Sequence, residues 1–143
     1  METCKFALQA RATGADLMLI VRLDSREIWR GEPGLDWTDI NCEFADIADQ
    51  EHVLEIELQN KLAEHTCIDE SGNILSDRVI ELQNISLDDI QLGQIFTQLA
   101  TYQHDFNGTQ SIIQDQFFGS MGCNGTVRLK FVSPVYLWLL ENM

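Results

Sequence analysis

Apolar and polar residues alternate with a period of two along segment after segment of this chain, and that regularity commits it to β-structure. Cys4, Phe6, Leu8, Ala10 and Ala12 fall on one side of an extended backbone, with Lys5, Gln9 and Arg11 on the other, the pattern of a half-buried strand. Gly14 ends it. Leu17, Leu19, Val21 and Leu23 repeat the pattern. Met18 and Ile20 make their other face apolar as well, so this strand is expected to lie inside a sheet. Thr38, Ile40, Cys42 and Phe44 alternate with Asp39, Asn41 and Glu43. Leu54, Ile56 and Leu58 alternate with Glu55 and Glu57, and Val127, Leu129 and Phe131 with Arg128 and Lys130. The glutamates suit a helix over 45–62, but the strict alternation outweighs them.

Turn chemistry separates these runs. Asp24-Ser25 reads as a tight turn into Glu27–Arg30, and Gly31-Glu32-Pro33-Gly34 as a turn by composition. Ile80 and Leu82 share a face, whereas Ile85 and Leu87 fall on the opposite parity, and Ile90 and Leu92 switch again. A bulge near Asn84 and a turn at Asp88-Asp89 account for both slips. Asn107-Gly108 and Asn124-Gly125 are hairpin signals. Residues 95–104 suit a helix through Phe96, Leu99 and Ala100 and a strand through Thr97, Thr101 and Tyr102; the surroundings favour a strand. Ser111–Phe118 reads as a short helix or a strand. After the break at Pro134, Val135–Leu140 is apolar on both faces and reads as a final strand buried on two sides, in a sandwich centre or against another subunit. Roughly nine strand-like segments at short spacing predict an all-β protein. The expected fold is an antiparallel β-sandwich of jelly-roll type, one domain over 1–143, with room for one short helix.

Charge narrows the partners. With 9 basic and 23 acidic residues the net charge is −14, which disfavours a phosphate backbone as partner. No apolar run reaches the roughly 18–20 residues of a membrane helix, and the N-terminus shows no secretory h-region. Cys4, Cys42, Cys67 and Cys123 form no CxxC pair and are expected to be free thiols. His65 and Cys67 fall short of the four clustered ligands of a zinc site. The sequons at Asn84, Asn107 and Asn124 carry no glycan meaning without a secretory route.

Three groups of residues remain as candidate sites. Asp69, Glu70, Asn73 and Asp77 place four oxygen ligands in one polar loop between Asn60 and Arg78, a set that suits calcium, although the spacing is not that of an EF-hand. Trp29 and Trp37 flank the Gly31–Gly34 turn and offer stacking surfaces for sugar rings. Tyr136, Leu137, Trp138, Leu139 and Leu140 form an apolar run suited to the core or to a subunit interface. Catalysis has no such support. His52, His65 and His104 stand in no nucleophile elbow, HExxH or P-loop context, and Asp88-Asp89 reads as a turn. No enzymatic activity is expected.

Two resemblances follow. ARATGADLMLIVRLDSREIWRG at residues 10–31 and DRVIELQNISLDDIQL at 77–92 resemble the small calcium-dependent xylan-binding β-sandwich modules. That resemblance implies calcium-ligand roles for Asp69, Glu70 and Asp77 and a glycan partner. A short, acidic β-chain ending in VYLWLLENM also resembles the small structural proteins of tailed bacteriophages, in capsid decoration or as tail and fibre accessories. This second resemblance implies a non-enzymatic virion protein, made in the host cytoplasm. It would act by self-association and by contact with other virion proteins, with no nucleic acid and no membrane as partner. It is the leading expectation, and the calcium-assisted carbohydrate-binding module is the alternative.

Overall fold

The computed structural model describes residues 3–105 and 111–142. In chain order the elements are β1 (Thr3–Ala12), β2 (Met18–Leu23), β3 (Arg26–Gly31), β4 (Thr38–Ala45), β5 (Glu51–Gln59), β6 (Cys67–Ile68) and β7 (Ile74–Ser76). They continue with β8 (Ile80–Leu87), β9 (Ile90–Gln91), α1 (Gln94–Leu99), β10 (Thr101–His104), β11 (Ile113–Gln116), β12 (Ser120–Met121), β13 (Gly125–Val132) and α2 (Val135–Asn142).

Two antiparallel sheets make the expected β-sandwich. One has the order β12-β8-β1-β4, with β9 against the end of β8; the other runs β11-β10-β13-β5-β2-β3. The alternating residues supply the filling. Phe6, Leu8 and Ala10 of β1, Ile40 of β4 and Ile80 of β8 face Leu19 and Val21 of β2, Leu54, Ile56 and Leu58 of β5, and Val127, Leu129 and Phe131 of β13 in one core. Fully burying each large side chain contributes about 1.5–3 kcal/mol. β2 sits between β3 and β5, and Ile20, on its other face, is buried too, as the two-faced apolar pattern requires.

The turn chemistry sets the registers. Asp24 and Ser25 both take positive φ, at 52° and 68°, and so do Asp88 and Asp89, at 49° and 64°. These are the two-residue hairpin turns whose twist matches the flanking strands. On β8 the pairing jumps from Ala7–Ser86 to Gln9–Gln83, so one extra residue is accommodated beside Asn84, which takes φ 54°. This is the bulge that the parity switch required. Asn107-Gly108 lies outside the described residues.

Two expectations are corrected. The final run is not a strand: Val135–Asn142 forms α2. A run that is apolar on both faces carries no period by which to tell strand from helix, and Pro134 just ahead of the first helical residue suits a helix start. α2 closes one end of the sandwich with Val135, Trp138 and Leu139 buried, and the Trp138 ring lies 5.8 Å from Phe131. The segment 95–104 is split rather than a strand throughout. Gln94–Leu99 forms α1, with Phe96 buried, and only Thr101–His104 joins a sheet. The long loop after Asn60 holds a two-stranded hairpin, β6–β7, that belongs to neither sheet.

Gly125 of β13 lies directly against β10. A Cβ there would sit 2.2 Å from the Gln103 carbonyl oxygen and 2.8 Å from His104 Cβ. Gly125→Ala should therefore force the two strands apart and lower stability by about 2–4 kcal/mol, measured as the shift of the urea midpoint at unchanged slope.

Candidate functional site: a polar strip on the outer face of the five-stranded sheet

The outward residues of β4, β1 and β8 form rows across the sheet. Arg11 of β1 lies beside Trp37, just ahead of β4, with its guanidinium carbon 4.4 Å from the ring centroid. On its other flank Arg11 reaches Glu81 of β8 at 3.4 Å. In the next row Gln9 donates to Asp39 Oδ1 at 2.8 Å and accepts from Gln83 Nε2 at 2.9 Å and Asn84 Nδ2 at 2.8 Å. The bulge turns Asn84 toward Gln9 and makes that row four side chains wide.

Beyond it the floor drops to two small residues, Ala7 and Ser86, which face each other across β1 and β8. A depression of about 460 Å³ opens there, walled by Lys5, Gln9, Asp39, Asn41, Asn84 and Gln91. Ser86 is only 5% exposed at its base. Among the described residues, the side chains of Asn41, Ser86 and Gln91 make no hydrogen bond. They leave carboxamide and hydroxyl donors and acceptors directed to whatever enters. A second depression, of about 550 Å³, lies at the end of the other sheet between Gln59, Gln103 and Thr126. Glu57 in its lining is already engaged by Arg22 and Gln59, each at 2.8 Å.

The predicted stacking residues separate. Trp37 sits on the strip, half-buried, with one face covered by Arg11. Trp29 lies on β3, at the edge of the other sheet, packed partly against the core beside Gly31.

The acidic residues do not converge either. Asp69 Oδ1 accepts the Ser71 and Asn73 amides, both at 2.9 Å, inside the β6–β7 turn. Those bonds, the Asn73 amide first, hold its carboxyl below the usual range. Asp77 Oδ1 accepts from Lys61 Nζ at 2.5 Å, Thr66 Oγ1 at 2.7 Å and the Arg78 amide at 2.9 Å. Burial raises its carboxyl, but the Lys61 and Thr66 hydrogen bonds and the Lys61 charge outweigh it, and the net shift is downward. Among the described residues no three His, Cys, Asp or Glu side chains form a metal-sized group.

The apolar run of α2 divides. Trp138 and Leu139 are buried, while Tyr136, Leu137 and Leu140 are 52%, 57% and 69% exposed. The Tyr136 hydroxyl donates to Asp88 Oδ2 at 3.2 Å.

One constellation had no sequence signal, because its members are far apart in the chain. His52 lies 2.6 Å from Asp24 Oδ2 through Nδ1 and 2.9 Å from Ser133 Oγ through Nε2. The connectivity is that of a Ser-His-Asp triad, yet His52 and Ser133 are each only 1% exposed. The His52 ring packs between Phe44 and Phe131, at 4.8 and 5.1 Å. A nucleophile sealed in the core meets no substrate, so the relay ties the β2–β3 turn to the start of α2. The four cysteines are free. Burial raises the Cys4 thiol to about 12 and pushes Cys42 and Cys123 upward as well, which keeps these three protonated and unreactive.

Comparison with known families finds no matching family model, and comparison with curated proteins finds no match. Among solved structures the fold is similar to vCBM60 in complex with galactobiose, at 9% identity and a TM-score of 0.54, covering 87% of this chain and 96% of that one. It is also similar to the selenomethionine form of vCBM60, from work on circular permutation between two families of calcium-dependent carbohydrate-binding modules. That match has 9% identity and a TM-score of 0.55, and covers 88% of this chain and 89% of the other. At this identity the likeness establishes the sandwich fold.

Ser133→Ala should leave His52 Nε2 buried without a partner and cost about 1–3 kcal/mol of stability, read from chemical denaturation. A serine-directed phosphonate should leave the native wild-type protein unlabelled.

Proposed function

We propose that this chain is a non-catalytic carbohydrate-binding module whose ligand lies on the outer face of the five-stranded sheet. One observation carries the proposal: cross-strand rows of carboxamides surround a small-residue floor, with an indole two rows away on the same face. A sugar ring presents hydroxyls that both donate and accept. Carboxamides match both roles without the desolvation cost of charged groups. The flat floor over Ala7 admits a ring, and Trp37 offers an apolar surface to a neighbouring one. The sandwich likeness to vCBM60 supports the reading.

Replacing Gln9 and Asn41 together by alanine removes donors and acceptors from two rows of an exposed face. Affinity for a soluble glycan that binds wild type should fall about tenfold or more, at roughly 1 kcal/mol per lost hydrogen bond, with the melting temperature lowered by only about 2–4 °C as the Gln9 cross-strand bonds are lost. Titration calorimetry reads the first and differential scanning fluorimetry the second. Trp37→Ala should weaken binding further, while Trp29→Ala should not. Unchanged affinity in the double variant would remove the strip as the site.

A second reading, a virion subunit acting through contacts between copies, has its own observation: Tyr136, Leu137 and Leu140 stand exposed on α2. On that reading sedimentation shows association that rises with concentration, and Leu137→Asp with Leu140→Asp abolishes it. A monomer at every concentration counts against it.

A further inference from the structure

The loop that reads as a cation site already contains a cation, and it belongs to the chain. Lys61 follows β5, and its side chain is 1% exposed. Its ammonium donates to Asp77 Oδ1 at 2.5 Å and to the Arg78 carbonyl oxygen. Asp77 in turn gathers the Thr66 hydroxyl and the Arg78 amide. The Lys61 backbone is clasped from the other side: its N–H donates to Asn124 Oδ1 at 2.8 Å, and its carbonyl accepts Asn124 Nδ2 at 2.9 Å. One residue therefore joins the end of β5, both ends of the β6–β7 hairpin and the start of β13. The hairpin needs such a tie. Cys67, Ile68 and Ile74–Ser76 are all exposed, and an isolated two-stranded ribbon is at best marginally stable in water.

We infer that Lys61 supplies, as a built-in ammonium, the positive charge that organises this acidic loop, and that no metal ion does so. A buried ammonium with two described oxygen acceptors is held in place by geometry and charge together. A divalent ion competing for Asp77 Oδ1 would have to displace Lys61 and leave its charge buried and unpaired, which opposes binding. Asp69, at the far end of the hairpin, has its carboxylate committed to the turn amides and does not reach this centre.

The test uses the full chain and has readouts that do not depend on any glycan. Wild type is melted with calcium and with chelator, and its amide NMR spectrum is followed through a calcium titration. The inference expects no shift of the midpoint and no movement of the 66–78 resonances. Lys61→Met keeps the length and removes the charge. It should lower the midpoint by about 10 °C and open the hairpin to proteolysis between Cys67 and Ser76. If that variant does not fold, Lys61→Met combined with Asp77→Asn makes the centre neutral on both sides and should recover most of the loss. A calcium-dependent rise of the wild-type midpoint that disappears in Asp77→Asn would overturn the inference. So would a Lys61→Met protein as stable as wild type.

Discussion

β1 is hydrogen-bonded on both flanks, and the rest of the five-stranded sheet depends on its register. It pairs with β4 without a break from Thr3–Ala45 to Ala10–Thr38, and with β8 on either side of the bulge. A slip of one residue would send Lys5, Gln9 and Arg11 into the core and Phe6, Leu8 and Ala10 into solvent. Burying one unpaired cation costs more than any single cross-strand pair contributes. The core thus fixes the register, and the register places Gln9 beside Asp39 and Gln83, and Ala7 beside Ser86. The polar strip is the outward consequence of an inward requirement.

The bulge adds what regular pairing lacks. An unbroken β8 would alternate inward and outward residues, and Asn84 would compete with its neighbours for a face. With one extra residue in the strand, Ile85 and Leu87 return to the core while Gln83 and Asn84 both reach Gln9. Three carboxamides and Asp39 therefore hold one another before any ligand arrives. Such a row loses less side-chain freedom on binding than free amides do, and this favours affinity without enlarging the contact.

Much of this was legible in the sequence, and the parts that were not share a cause. The half-buried strands, the turns at Asp24-Ser25 and Asp88-Asp89 and the bulge at Asn84 each leave a local mark, either a parity or a residue type that tolerates positive φ. α2 left none, because Val135–Leu140 is apolar all round and only tertiary position decides what such a run becomes. The site follows the same division. Trp37 stood out by residue type. Its partners did not: Arg11 and Glu81 reach the same row through strand pairing between segments far apart in sequence. The Asp24–His52–Ser133 relay and the Lys61–Asp77 pair are non-local in the same way. The wiring of the acidic loop is hidden for a related reason. Composition counts oxygens, but it does not show that a lysine eight residues ahead of Asp69 folds back onto Asp77.

The charge of the chain and the polar character of its depression belong to one argument. At −14 the molecule's net charge disfavours anionic partners, and Asp39, Glu43, Glu81 and Asp88 stand around the strip. Arg11 is held by Trp37 and Glu81, while Lys5 and Asp39 stand at the wall of the depression. The other groups there are carboxamide, hydroxyl and indole, whose interactions with an uncharged ligand are weakened little by salt. On the proposed carbohydrate reading, such a surface discriminates chiefly by the placement of hydroxyls. That placement is set by the spacing of β4, β1 and β8, which the buried faces of the same three strands hold fixed.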